Sequence, residues 1–74
     1  MKFQLFSQVA LREDIPELNL IKGRIGTIVE CYSGLDKQEN GYSLEGLIAQ
    51  DTVEVAESQI EAITSSISPV RIVR

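Results

Sequence analysis

Gly23-Arg24-Ile25-Gly26-Thr27-Ile28-Val29-Glu30 is the stretch that decides the fold. Two glycines three apart, followed by a β-branched run, read as a turn feeding a bent strand. Gly23 suits a turn that needs positive φ, Gly26 permits a sharp bend or a close backbone approach, and Ile25, Thr27, Ile28 and Val29 favour extended structure. On its N-terminal side, Phe3, Leu5, Val9 and Leu11 fall on odd positions while Lys2, Gln4, Gln8 and Arg12 fall on even ones. That is the period-two pattern of a first strand with one wet face. Phe6 breaks the alternation, at a bulge or in a second small cluster. Arg12 to Leu20 is a long connection in which Pro16 forces Ile15 out of helical geometry, so it runs over the surface before Gly23 turns the chain.

On the C-terminal side, strand two, about Arg24 to Tyr32, carries apolar residues on both faces, which suits a strongly bent strand of a small barrel. Ser33 to Gly41 is polar and turn-prone, and Asn40-Gly41 is a strong turn signal directly before strand three, Tyr42 to Ile48. There Tyr42 and Leu44 face one way, Ser43 and Glu45 the other, and Gly46 marks a bend. Asp51 to Ile63 supports two readings. Val53 and Val55 alternate as in a strand, whereas Val53, Ala56, Ile60 and Ile63 follow helical spacing, with Asp51 and Glu54 as a capping box. The β-branched residues around Glu54 favour a strand at 52–56, then one tight helical turn at 57–59 and a last short strand at 60–63. The fold class is therefore all-β: a small barrel of about five strands over residues 1–64, with a short helical turn before the last strand. Residues 65–74 form a tail that is either disordered or, through Val70 to Arg74, an added edge strand that could join two copies as a homodimer.

With 74 residues there is one domain and a small core, leaving little room for an enclosed active site. A net charge of −4 works against a nucleic-acid partner, since such affinity comes largely from cations replacing counterions on phosphates. The N-terminus is too polar for a signal peptide and the apolar stretches are short, so no membrane association is expected and the location read is cytoplasmic. Cys31 is the one cysteine, which excludes an internal disulfide, and it reads as packing within an apolar strand.

The pieces Val9-Ala-Leu11, Asp14-Ile-Pro-Glu17, Leu20 to Glu30, Gly41-Tyr42 and Glu57-Ser-Gln-Ile60 occur in order along residues 3–63. The five short strands, the long first loop and the Gly-x-x-Gly-Thr-Ile-Val-Glu turn resemble SH3-like barrels, including the glycine-centred motif of KOW domains. More closely, through the ordered pieces above, the chain resembles the small bacterial family, common in cyanobacteria, known as domain of unknown function 4926. The resemblance implies an SH3-like barrel and no established catalytic residue. Members are often encoded beside another small protein, which implies a companion and an antitoxin-like, immunity-like or adaptor role.

There is no histidine, so the commonest general base and metal ligand is missing, and no serine has an evident activating partner. The acidic neighbours Glu13 and Asp14, or Glu45 and Glu54 across adjacent strands, read as solvated surface charge. Asp36, Glu39 and Asn40 depart from calcium-loop spacing and read as a turn. The chain is thus expected to be no enzyme, to use no metal or cofactor, and to act as a protein-interaction module. Its candidate partner contacts are Ile15 and Pro16, in the loop through which SH3-like barrels commonly bind, and Tyr32 and Tyr42, which flank one turn and carry a polar tip on an apolar body; the alternative is that the tyrosines close the end of the barrel as core and that Ile15 plugs its open end. Gly23 and Gly26 are assigned to the structural turn. The alternative is a KOW-like nucleic-acid-associated module using Lys22 and Arg24.

Overall fold

The structure is a computed structural model describing residues 1–36 and 38–63. In it, β1 (Gln8–Leu11), a 3-10 turn (Pro16–Leu18), β2 (Ile25–Tyr32), β3 (Gly41–Ile48), β4 (Asp51–Ala56), a second 3-10 turn (Glu57–Gln59) and β5 (Ile60–Ala62) follow in order. The chain is all-β. The strands form one antiparallel sheet in the order β4-β3-β2-β1-β5, so β1 sits inside, paired with β2 on one side and β5 on the other. The helical turn expected before the last strand is present at Glu57–Gln59, where the Gln59 side chain accepts the Ala56 N–H at 2.8 Å. The strand reading of 52–56 holds over the helical one, with β4 beginning one residue earlier at Asp51. Asp51 does not cap a helix there; its carboxylate accepts the N–H of Thr52 instead. The tail assigned to 65–74 lies outside the described residues.

Two bulges explain how a chain with apolar residues on both faces of its strands builds one core. Ile28 pairs with Leu44, yet Glu30, not Val29, is next to be paired, with Ser43. Val29 is the extra residue, and after it Cys31 joins Ile28 on the inner face, opposite Tyr42. In β3 the register shifts between Glu45 and Ile48 around Gly46, whose φ is +98°. This shift returns Leu47 to the inside, where it is buried with Val9, Leu11, Ile28, Tyr42, Leu44, Val53, Val55 and Ile60.

Gly26, assigned with Gly23 to the turn, instead lies inside β2, paired with Val9 and under that second bulge. A Cβ there would stand 3.2 Å from both Leu44 Cβ and Leu47 Cγ and 3.3 Å from the Glu45 carbonyl, so the close approach read from the sequence is present. Gly23 serves differently. Its φ is +95° and a Cβ would meet nothing within 4 Å.

Two expectations need correction. Strand one is shorter than the alternation suggested, because Gln4–Ser7 folds into a turn closed by Ser7 N–H to the Gln4 carbonyl at 3.1 Å. Phe3 is buried, but Leu5 and Phe6 stand exposed. The connection after β1 is also not a plain surface run. Pro16 starts a 3-10 turn, for which its fixed φ and missing N–H are suited, and Ile15 and Leu20 exchange backbone hydrogen bonds at 2.8 and 3.2 Å that turn both side chains into the core.

The two glycines predict opposite substitution profiles. Gly23→Ala should lose about 1 kcal/mol through left-handed strain, with Gly23→Asn milder. Gly26→Ala should lose about 1–3 kcal/mol by overpacking, with Gly26→Asn worse. Urea denaturation of the four variants distinguishes the causes. An Asn milder than Ala at position 26 would remove close packing as the reason for that glycine.

Candidate functional site

Register separates the two tyrosines proposed as neighbouring contacts. Tyr42 pairs with Cys31 on the inner face, whereas Tyr32 pairs with Gly41 and shares the outer face with Glu30 and Ser43. Tyr42 is fully buried, which corrects its assignment as a contact: its ring packs edge-on to Phe3 with centroids 5.6 Å apart. Ile15 is corrected likewise, since the Ile15–Leu20 bridge turns it inward and leaves it buried. Pro16 and Tyr32 remain at the surface. With Ile15 and Tyr42 in the core, the four residues do not form one exposed contact surface.

Tyr32 is held firmly for an exposed side chain. Its hydroxyl donates to the Glu30 carboxylate at 3.2 Å and lies 2.7 Å from Ser43 Oγ, which therefore donates to it. Ser43 is the buried polar side chain of this face, and Tyr32 both covers and satisfies it. Along the same face, Glu30 and Glu54 flank Ser43 on adjacent strands, and Glu45 lies one rung away between Thr27 and Thr52. No cation stands within ion-pair distance of these three carboxylates among the described residues, where the one ion pair is Arg12–Glu61 at 4.0 Å. The outer face of β2, β3 and β4 is thus acidic, with one fixed tyrosine at its edge.

The network that sequence reasoning missed centres on Glu57. Its carboxylate accepts the Tyr42 hydroxyl, the Asn40 side-chain amide at 3.3 Å and the Lys2 backbone N–H at 3.3 Å, while the Tyr42 oxygen accepts the Phe3 N–H at 3.3 Å. A signal was available, because an inward-facing tyrosine on a central strand needs a partner for its hydroxyl. The loop before β3 is tied to the same turn by Glu39, which accepts the Ser58 N–H at 2.8 Å, and is closed within itself by Asn40, which accepts the Gly34 N–H at 2.9 Å. The oxygens of Glu39 and Asn40 considered for calcium are therefore engaged in holding this loop.

Of the carboxylates considered as acid–base pairs, Glu13 and Asp14 are separately engaged. Asp14 accepts the Lys22 N–H at 2.8 Å and Glu13 accepts the Gln59 side-chain amide at 3.3 Å. An open concavity of about 690 Å³ beside the β3–β4 turn is lined by Arg24, Glu45, Asp51, Thr52 and the intervening backbone. Arg24 donates to the Leu47 carbonyl at 2.9 Å there. Its lining offers no cysteine, and with no histidine in the chain it assembles no imidazole-activated nucleophile.

The Tyr42 hydrogen bond, helped by Asn40 and Lys2, holds the Glu57 carboxyl below the usual carboxylate range. Burial, then the bond to Glu57, pushes the Tyr42 phenol up. Because Glu57 has a depressed value in the folded protein, its contribution is complete above the ordinary carboxylate range and is lost as pH falls through the depressed value. Tyr42 gives the opposite limb, lost as pH rises through its raised value. Tyr42→Phe, which removes that hydrogen bond, should lower stability at neutral pH. Its deficit should shrink at about pH 3, below the ordinary glutamate value. Denaturant melts at both pH values test this; a deficit independent of pH would mean that ionised Glu57 is not the partner that matters.

Comparison with known proteins adds one positive finding. A family model described as domain of unknown function (DUF4926) matches residues 5–45, which runs from the Gln4–Ser7 turn to Glu45 in β3. The match includes Gly23, Gly26, Pro16 and Tyr32 but ends before Glu57-Ser-Gln-Ile60. No curated protein and no solved structure matches the chain. Since the model spans more than half of the 74 residues, the chain belongs to the DUF4926 family.

Proposed function

We propose that this protein is a non-enzymatic protein-interaction module built on an SH3-like barrel, which recognises a companion protein of basic character. The SH3-like reading is supported by the strand order β4-β3-β2-β1-β5 and by the 3-10 turn between β4 and β5. The observation that carries the functional reading is the outer sheet face, where Glu30, Glu45 and Glu54 have no cation within ion-pair distance among the described residues and Tyr32 is locked beside them. Uncompensated charge steers an oppositely charged partner, and an aromatic already fixed in place loses little entropy on docking. Neutralising or adapting the companion is the sharpest form of this role. A cytoplasmic location accords with it, and among the described residues no helix is long and apolar enough to cross a membrane.

The second reading is a KOW-like module, favoured by the exposed Lys22-Gly23-Arg24 turn. The outer-face carboxylates oppose it by repelling phosphates.

Full-length tagged protein recovered from its native cells, with the co-purifying protein then remade and titrated, tests the proposal. Pro16→Ala and Tyr32→Ala should each weaken binding about tenfold, as expected for interface positions worth a little over 1 kcal/mol, and leave a folded domain. Ile15→Ala and Tyr42→Ala should instead lose stability, by about 2–5 kcal/mol, because both empty the core. Recovery of nucleic acid alone, with affinity falling steeply in salt, would replace the first reading by the second.

A further inference from the structure

We propose that the Leu5–Phe6 turn is a preformed apolar anchor that seats in a pocket of the companion protein. This deepens the interaction-module reading and rests on it. Phe6 is the third residue of the Gln4–Ser7 turn and has φ +69°, a conformation that suits glycine or asparagine and is strained for a bulky side chain. Burial does not compensate for the strain, since Phe6 is 71% exposed and Leu5 beside it 48%.

The backbone contacts of the turn do not call for phenylalanine either. Phe6 N–H donates to the Ile28 carbonyl at 2.7 Å, Ile28 N–H to the Ser7 carbonyl at 2.9 Å, and the Ser7 hydroxyl to the Gln4 carbonyl at 2.6 Å. Glycine at position 6 could make every one of the backbone bonds. The sequence therefore departs from two rules at one residue: an aromatic stands where the turn favours glycine, and a large apolar side chain faces water. Strained, rigidly held positions of this kind cluster where a ligand is met, and an aromatic held in place is the usual centre of a binding hot spot.

Charge identifies the occupant. A net charge of −4, with Glu30, Glu45 and Glu54 unpaired among the described residues, opposes both a second copy of this chain and an anionic bilayer. The chemistry that fits is a basic protein with an apolar pocket.

A photoreactive benzoylphenylalanine placed at position 6 of the full-length chain in native cells, with a second version at position 32, tests the anchor. The expected result is a crosslink from position 6 to one other protein. That protein, purified and titrated, should bind Phe6→Gly and Phe6→Asn at least tenfold more weakly than the parent chain, while both variants melt at or above its midpoint. A crosslink to a second copy, to residues 64–74 or to lipid overturns the proposal. So does an unchanged affinity, or a lower melting midpoint in both variants, which would make Phe6 structural. A partner captured from position 32 but not from position 6 ends the anchor and leaves the interaction module standing; capture from neither removes both.

Discussion

The hydrogen bond between Tyr42 and Glu57 is the constraint on which the rest of the architecture depends. A tyrosine in the middle of a small core fills volume with its ring but carries a hydroxyl that must not go unpaired. Here the hydroxyl reaches the rim, where Glu57 receives it together with Asn40 and the Lys2 N–H, and the phenol oxygen receives the Phe3 N–H. One side chain thereby joins β3 to the N-terminal segment and to the 3-10 turn leading into β5. The segment is held by packing too, since Phe3 is buried against the Tyr42 ring.

Much of this fold could be read from local chemistry. The five strands, the turn at Glu57–Gln59 and the separate duties of Gly23 and Gly26 follow from β-branched runs and from positions where a side chain would strain or collide. What escaped were consequences of pairing. Val29 adds one residue to the β2–β3 ladder and Gly46-Leu47 add two to the β3–β4 ladder, so the alternation read along the chain does not carry across either place. Without that register, Tyr32 and Tyr42 look like a pair flanking a turn; with it, they lie on opposite faces. Ile15 was misassigned for a related reason, because its inward turn depends on the backbone exchange with Leu20, five residues away across an irregular loop.

The surface divides the same way. Polar groups at the rim are largely engaged with one another, as with Glu39 and Ser58 or Asp14 and Lys22. The outer face of β2–β4 instead keeps its charge uncompensated, and the Gln4–Ser7 turn keeps its apolar residues exposed.

The interior position of β1 bears on how the chain reaches its native state. Val9 pairs with Gly26 on one side and with Ala62 on the other, so one strand is completed by neighbours at very different separations along the chain. The β2–β3 and β3–β4 ladders join near neighbours and close over short loops, but β1 gains its second partner only when residues 60–62 are available. Such distant pairing carries the larger loop-closure entropy and slows folding. On a ribosome, where the N-terminal end emerges first, β1 must wait with one edge open until almost the whole sheet has been made.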